Sequence, residues 1–472
     1  MKVIAIAFVF IIAEMNFVAI SESVSYNECK NVMALGSATA GNYSLLLKVR
    51  DPARPGYQVL CIVPKGYEYD YHSPWLGYKM HFVVEHKFIG TTTLGDAPPN
   101  IVKAGMMIND AGIAFSDADT LCHIVNPTKH AWDDFDWMRY SAQSADDLNE
   151  AVSLLHDVVR MHAPSVAENI FVVNASMGAI VEADAINFNV RFIEDGVEAQ
   201  SNYPKVLWKK HLIYPVFVSP SFYSNKSIWA EKGDRISLGG LTGIFVSSIR
   251  NDSVTVRMYP FGFKHEIKCN DGMAAGNFWV EVKNISEGKA RLFICYKYFM
   301  WEKKIKEELM KNGKVKLEDM MRISRLHTNE LNGLRGMCEG GYEAATVYKI
   351  THAYPHFLSS LWFAANQCSS IFIPVHICDI DIYDAYENGT ASQLAHQLLS
   401  KYGHGNITKW CEQVEKKFIE ETEKSEMEAM KLLNQGKFME AKLLLTLSDI
   451  KMQIEAIEIE KDWLNGNFSV IS

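Results

Sequence analysis

Strand-forming runs come in pairs along this chain, and each pair closes over a short turn. Residues 43–49 and 58–63 are rich in β-formers, and 82–86 and 89–93 read as neighbours across a turn. Residues 104–109 and 112–116 flank Asp110-Ala111, and 169–173 and 178–183 flank Asn174-Ala-Ser-Met177. Both are hairpin signals. Further strands are expected at 189–193, 240–247, 254–259, 345–351, 360–364 and 370–374. Helical spacing is clearest at 145–160, where Leu148, Val152, Leu155 and Val159 share a face after the capping-type Ser144. Residues 305–310 and 316–326 also read as helical. Strand pairs followed by helices, rather than βαβ alternation, point to an α+β fold with antiparallel sheets.

Beyond His404 the composition changes. Residues 407–463 are rich in Glu, Lys, Leu and Met, broken only at Asn434-Gln-Gly436. That pattern predicts two helices joined by a short turn, packing on the main body or forming a homo-oligomer contact. The glycines follow no phosphate-cradling spacing, and no Gly-x-Ser-x-Gly elbow occurs.

The 472 residues carry a formal net charge of −9 and are 48% hydrophobic. An acidic chain with only short basic pairs, such as Lys209-Lys210, lacks the face that nucleic acid or an anionic membrane requires. Lys2 precedes an apolar run that Glu14 interrupts, which reads as a signal peptide over 1–21 rather than a membrane span. Eight Asn-x-Ser/Thr sequons agree with export to a secreted or lysosomal destination. Two of them, Asn42 and Asn174, are expected to be buried and unmodified. Nine cysteines are an odd number, so at least one thiol is free or pairs between chains. Cys122-His123 and His376-x-Cys378 are isolated pairs without zinc spacing, and neither a metal nor another cofactor is expected.

Cys29 follows the expected signal peptide and opens a strand-like run, a small turn, and a second strand ending in Lys48-Val-Arg50-Asp51. This layout sets a thiol beside an acid. Colinear with it come Ala104-Gly-Met-Met-Ile-Asn-Asp-Ala-Gly-Ile-Ala-Phe-Ser-Asp-Ala-Asp119, Phe171-Val-Val-Asn-Ala-Ser-Met-Gly-Ala-Ile-Val-Glu182, Ser201-Asn-Tyr-Pro204 and Leu334-Arg-Gly-Met-Cys338. Taken in order with Trp362-Phe-Ala-Ala365 and Ile371-Phe-Ile-Pro374, these segments resemble the cysteine N-terminal-nucleophile (Ntn) hydrolases. The likeness is to the secreted dipeptidase and secernin group and, more distantly, to the bile-acid and penicillin amide hydrolases.

The resemblance implies a four-layer α/β/β/α sandwich over 29–404, a propeptide over 22–28, and a helical extension over 405–472. It implies that Cys29 becomes the first residue, with its own α-amine as base, Asp51 orienting that amine and Asn202 serving the oxyanion. Lys48, Asp119 and Arg335 are the implied substrate contacts. The substrate is then a small peptide, most like a dipeptide, or an acyl amide. Two departures stand out: Lys30 replaces a small residue after the nucleophile, and Lys48 replaces an arginine, so a planar fork is lost.

The chemistry suits these residue types. A thiol attacks as thiolate, and an α-amine with a pKa of about 8 is a matched proton acceptor near neutrality. Each residue also has a plainer reading. Cys29 serves equally as a half-cystine, Asp51 and Asn202 as turn residues, Asp119 as a surface acid, and Arg335 as half of a structural ion pair. An inactive secreted glycoprotein of the same fold stays open.

Overall fold

The computed structural model describes residues 28–51, 56–98, 102–120, 124–207 and 221–468. The proposed signal peptide, most of the proposed propeptide and Cys122 lie outside them. Two compact units emerge, one formed by Glu28–Leu207, Ile305–Leu326 and Met337–Ser472.

That unit contains two large antiparallel sheets. The first runs in the order β13-β1-β2-β22-β23-β24, with β1 Lys30–Leu35, β2 Tyr43–Arg50, β13 Gly196–Ser201, β22 Ala344–Thr351, β23 Ser360–Ala364 and β24 Ile373–His376. The second runs β12-β11-β10-β8-β7-β6-β3. Its strands are β3 Gln58–Val63, β6 Phe88–Thr93, β7 Met106–Asn109, β8 Ile113–Ser116, β10 Ala167–Val173, β11 Gly178–Ala183 and β12 Phe188–Ile193, and the short β9 Asp119–Thr120 adds to β10. A separate hairpin joins β4 Glu68–His72 to β5 Lys79–Val83.

Named contacts bring the two sheets face to face. Ser44 Oγ donates to the Ala175 carbonyl at 2.9 Å, and the Thr91 and Thr346 hydroxyls meet at 3.2 Å. A Cβ at Gly178 would stand 2.7 Å from Met33 Sδ, so only glycine lets β11 approach β1 this closely. Cover on both faces explains why β2 is buried along nearly its whole length and carries the apolar run Leu45, Leu46 and Leu47 instead of strict alternation. Each such buried Leu or Val contributes about 1.5–3 kcal/mol.

Helices α1 Asp134–Ala142 and α2 Leu148–Arg160 pack on the second sheet around Trp132, Trp137 and Phe115. Helix α3 spans Lys297–Met310, and α4 Leu317–Ser324 lies on β2 and β22. Helices α5 Thr390–Tyr402, α6 Thr408–Asn434 and α7 Phe438–Leu464 follow. Helices α6 and α7 pack on each other and on β24, with Phe418, Met452 and Trp463 fully buried.

The other unit is described over 221–304 and His327–Gly336. It holds two four-stranded antiparallel sheets, β14-β21-β20-β19 and β15-β16-β17-β18. In chain order these are β14 Asn225–Ala230, β15 Arg235–Ile236, β16 Gly243–Ile249, β17 Ser253–Tyr259, β18 Lys264–Lys268, β19 Gly272–Ala275, β20 Phe278–Ser286 and β21 Lys289–Tyr296.

Three local expectations are corrected. The runs 82–86 and 89–93 do not pair: the N–H groups of Glu85 and His86 donate to the Gln143 carbonyl, and β6 pairs with β3 and β7 instead. Helix α2 is capped by Asp147, whose Oδ1 accepts from the Asn149 and Glu150 N–H groups, and not by Ser144. Asn42 is exposed rather than buried, because it sits in the turn between β1 and β2.

Candidate active site

Cys29 stands one residue before β1, so it shares the inward face with Asn31 and Met33. Across the ladder Asn31 pairs with Lys48 of β2. The strand pairing therefore delivers thiol and ammonium to one side of the sheet, and Lys48 and Cys29 act on each other electrostatically. The Asp51 backbone N–H favours the charged form of the same sulfur. Cys29 is a free thiol, and its sulfur is enclosed although the residue keeps some exposure.

Burial pushes the Cys29 thiol pKa up. Lys48 opposes that shift, Asp117 and Asp119 add to it, and the Asp51 N–H again opposes it. Burial likewise works against the Lys48 ammonium, but Asp117 and Cys29 outweigh it and hold its pKa above the ordinary lysine value. Lys48 Nζ lies 2.7 Å from Asp117 Oδ1 and also donates to the Asp117 carbonyl. Asn31 Nδ2 donates to that carbonyl at 2.8 Å.

Asp51 lies on the outer side of the same strand end. Its Oδ2 accepts the Glu28 N–H at 3.0 Å and stands 3.9 Å from Lys30 Nζ. Lys30 reaches Glu343 at 3.3 Å, and both are buried. This pairing accounts for a lysine directly after the thiol, since its charge is answered on the face opposite the sulfur. A Cβ at Gly340 would meet Asp51 Oδ1 and Glu343 Cγ at 2.9 Å, so a larger residue there would push on both side chains.

Asn202 follows β13, and its Nδ2 donates to the Asp119 carbonyl at 2.6 Å. One of its two amide hydrogens is thereby engaged, which leaves one for an oxyanion. Asp119 is exposed and pairs with Glu168 across the β9–β10 ladder. Its carboxylate meets those of Asp117, Asp134 and Glu168, with one oxygen from each within 4.8 Å of all the others.

Arg335 belongs to the other unit, where the Trp301 indole donates to its backbone carbonyl at 3.0 Å. The reading missed Asp117, Asp134, Glu168 and Asn31. Asp117-Ala-Asp119 carried a usable signal, because two acids at strand spacing point to one side. Asp134 and Glu168 reach the site only through the packing of α1 and β10. Elsewhere, Cys338 and Cys368 form a disulfide, and Cys378 of the His376-x-Cys378 pair is a buried free thiol.

No protein-family model and no curated protein matches the chain. Among solved structures it is similar to a penicillin V acylase from Agrobacterium tumefaciens, at 14% identity over 39% of this chain and TM-score 0.30. That match spans 55% of the acylase, little more than half its length. A conjugated bile acid hydrolase variant from Clostridium perfringens matches at 8% identity over 74% of this chain and 92% of its own, with TM-score 0.38. The Caenorhabditis elegans ortholog of N-acylethanolamine-hydrolyzing acid amidase matches at 13% identity over 39% and 72%, with TM-score 0.22. Superpositions this loose decide nothing about the fold, which rests here on strand order and register. No helix among the described residues is long and apolar enough to cross a membrane.

Proposed function

We propose that this chain is a cysteine amide hydrolase of the Ntn type, built as a four-layer α/β/β/α sandwich with a C-terminal helical hairpin. Cleavage before Cys29 activates it, and a signal peptide over 1–21 exports it to a secreted or lysosomal location. The observation that carries this reading is the free Cys29 thiol at the head of β1, on the strand that β2 pairs with through Asn31 and Lys48, with the Lys48 charge acting on it.

In the cleaved chain the Cys29 nitrogen becomes an amine one residue from the group that Asp51 now binds. That amine takes the thiol proton as sulfur attacks the amide carbonyl, and Lys48 steadies the thiolate. The remaining Asn202 N–H stabilises the oxyanion, an effect of about 3 kcal/mol in comparable sites. Collapse of the adduct breaks the C–N bond, and the α-ammonium protonates the leaving amine. Water then hydrolyses the thioester and restores the thiol.

Charged lining favours a small polar substrate such as a dipeptide. Lys48, Asp117 and Asp119 are the groups whose charges reach the sulfur, and they suit a substrate that carries charge of its own. N-terminal sequencing of purified protein, beside Cys29→Ala, tests the proposal. Chains beginning at Cys29 in the wild type support it. An active wild type that retains residue 28 refutes the self-activating chemistry.

A further inference from the structure

Asp117 and Asp119 leave β8 two residues apart, Asp134 opens α1, and Glu168 begins the inner part of β10. Four carboxylates this close repel one another strongly where water is scarce. Lys48 supplies one positive charge and is already engaged at Asp117 Oδ1. Arg50 lies within electrostatic range of Asp134 and Asp117, yet it spends its guanidinium on Gln58 and Thr93.

A second observation is independent of that proximity. Glu168 is fully buried, and neither of its oxygens has a hydrogen-bond partner. A buried carboxylate without donors costs several kcal/mol, and this one points at the other three. The surroundings add amide oxygen. Asn31 and Asn202 turn their amide nitrogens to the carbonyls of Asp117 and Asp119, and each leaves its Oδ1 unpartnered.

We propose that Asp117, Asp119, Asp134 and Glu168 bind a calcium ion beside Cys29. Oxygens that share one Ca²⁺ at about 2.3–2.6 Å can stand no more than roughly 5 Å apart, and this set lies inside that limit. An all-carboxylate set selects a hard ion over zinc. Asp117 keeps Lys48 on Oδ1 and offers its other oxygen. Asp119, exposed, and Asp134, partly exposed, give the ion a route in. No step of the thiol chemistry passes through the ion, so the two proposals fail separately.

The test uses the full chain, stripped of metal by a chelator. Calorimetry with Ca²⁺ is run beside Tb³⁺ luminescence sensitised by Trp132 and Trp137. Saturable Tb³⁺ emission that Ca²⁺ displaces, with a chelator-reversible rise in Tm, is expected. Glu168→Gln and the exposed-site variant Asp119→Asn should each weaken Ca²⁺ binding about tenfold or more. The metal assignment is overturned by an absence of Ca²⁺ binding up to about 10 mM, beyond the weakest extracellular modules. Unchanged affinity in both variants, each folded by circular dichroism, also overturns it. If methylammonium displaces Tb³⁺ and Ca²⁺ does not, the cluster belongs to an organic amine and the proposal falls.

Discussion

Lys48 Nζ and Asp117 Oδ1 lie 2.7 Å apart, with neither side chain appreciably exposed. Lys48 comes from the first sheet, and Asp117 from the chain leaving the second, so this pair fastens the two sheets at the point where the thiol sits. Removing one partner leaves the other charged, buried and unanswered.

Lys48→Met should therefore lower stability by about 3–5 kcal/mol in a urea titration. It should also slow alkylation of Cys29 at neutral pH, because the thiolate loses its cation. Lys48→Arg should restore much of the alkylation rate. Equal rates for the methionine variant and the wild type would show that the lysine does not act on the sulfur.

Asn202→Ala should reduce kcat about 10²–10³-fold with KM little changed, the signature of a group that acts in the transition state. The same change frees the Asp119 carbonyl. Thermal unfolding of the variant separates a loosened loop from a lost oxyanion donor.

Arg325 places both terminal nitrogens on Glu415, at 2.6 and 2.9 Å, in a buried pair that ties α6 to the residue following α4. Arg325→Met alone should destabilise by about 3–5 kcal/mol, whereas Arg325→Met with Glu415→Leu should recover most of the loss. Denaturant midpoints of the two variants check this.

Stability should fall as pH rises above mildly acidic values. Burial raises the Glu460 carboxyl to about 8, against about 4.3 in an unfolded chain. A raised carboxyl means that the folded state binds the extra proton, so its contribution is whole at low pH and is lost as pH climbs towards 8. His376 follows the same direction. Burial opposes its charge, but Asp449 and Glu426 raise it to about 10, and its contribution fades as pH climbs from about 6.5 towards that value. Glu460→Gln, whose amide oxygen still accepts the Ile371 N–H, should flatten the fall in Tm between about pH 5 and 8. An equally steep profile in the variant would show that Glu460 is not the titrating group.

Truncation after residue 404 should abolish folding, since it removes Trp463, Phe418 and Glu415 from the body they pack against. Soluble, cooperatively unfolding 29–404 would show instead that the hairpin is dispensable. Residues 407–463 are expected to be helical because they are rich in Glu, Lys, Leu and Met and broken only at 434–436, and helices α6 and α7 occupy Thr408–Asn434 and Phe438–Leu464.

Local pattern determined a good part of this protein by itself. The hairpins β7–β8 and β10–β11 and the strand β23 follow from β-forming runs and turn residues, and the two C-terminal helices from helix-forming composition without turn residues, all of which act between neighbours in the chain. The run Cys29 to Asp51 announced a thiol and an acid for the same reason, since one hairpin register joins them. Only tertiary structure decided the rest. Lys30 could be understood once Glu343, 313 residues away, was seen to answer its charge. Asp134 and Glu168 became neighbours of Asp117 and Asp119 through helix–sheet and strand packing. Coulomb forces and desolvation depend on distance through space and on what excludes water, and neither quantity is written in the order of residues.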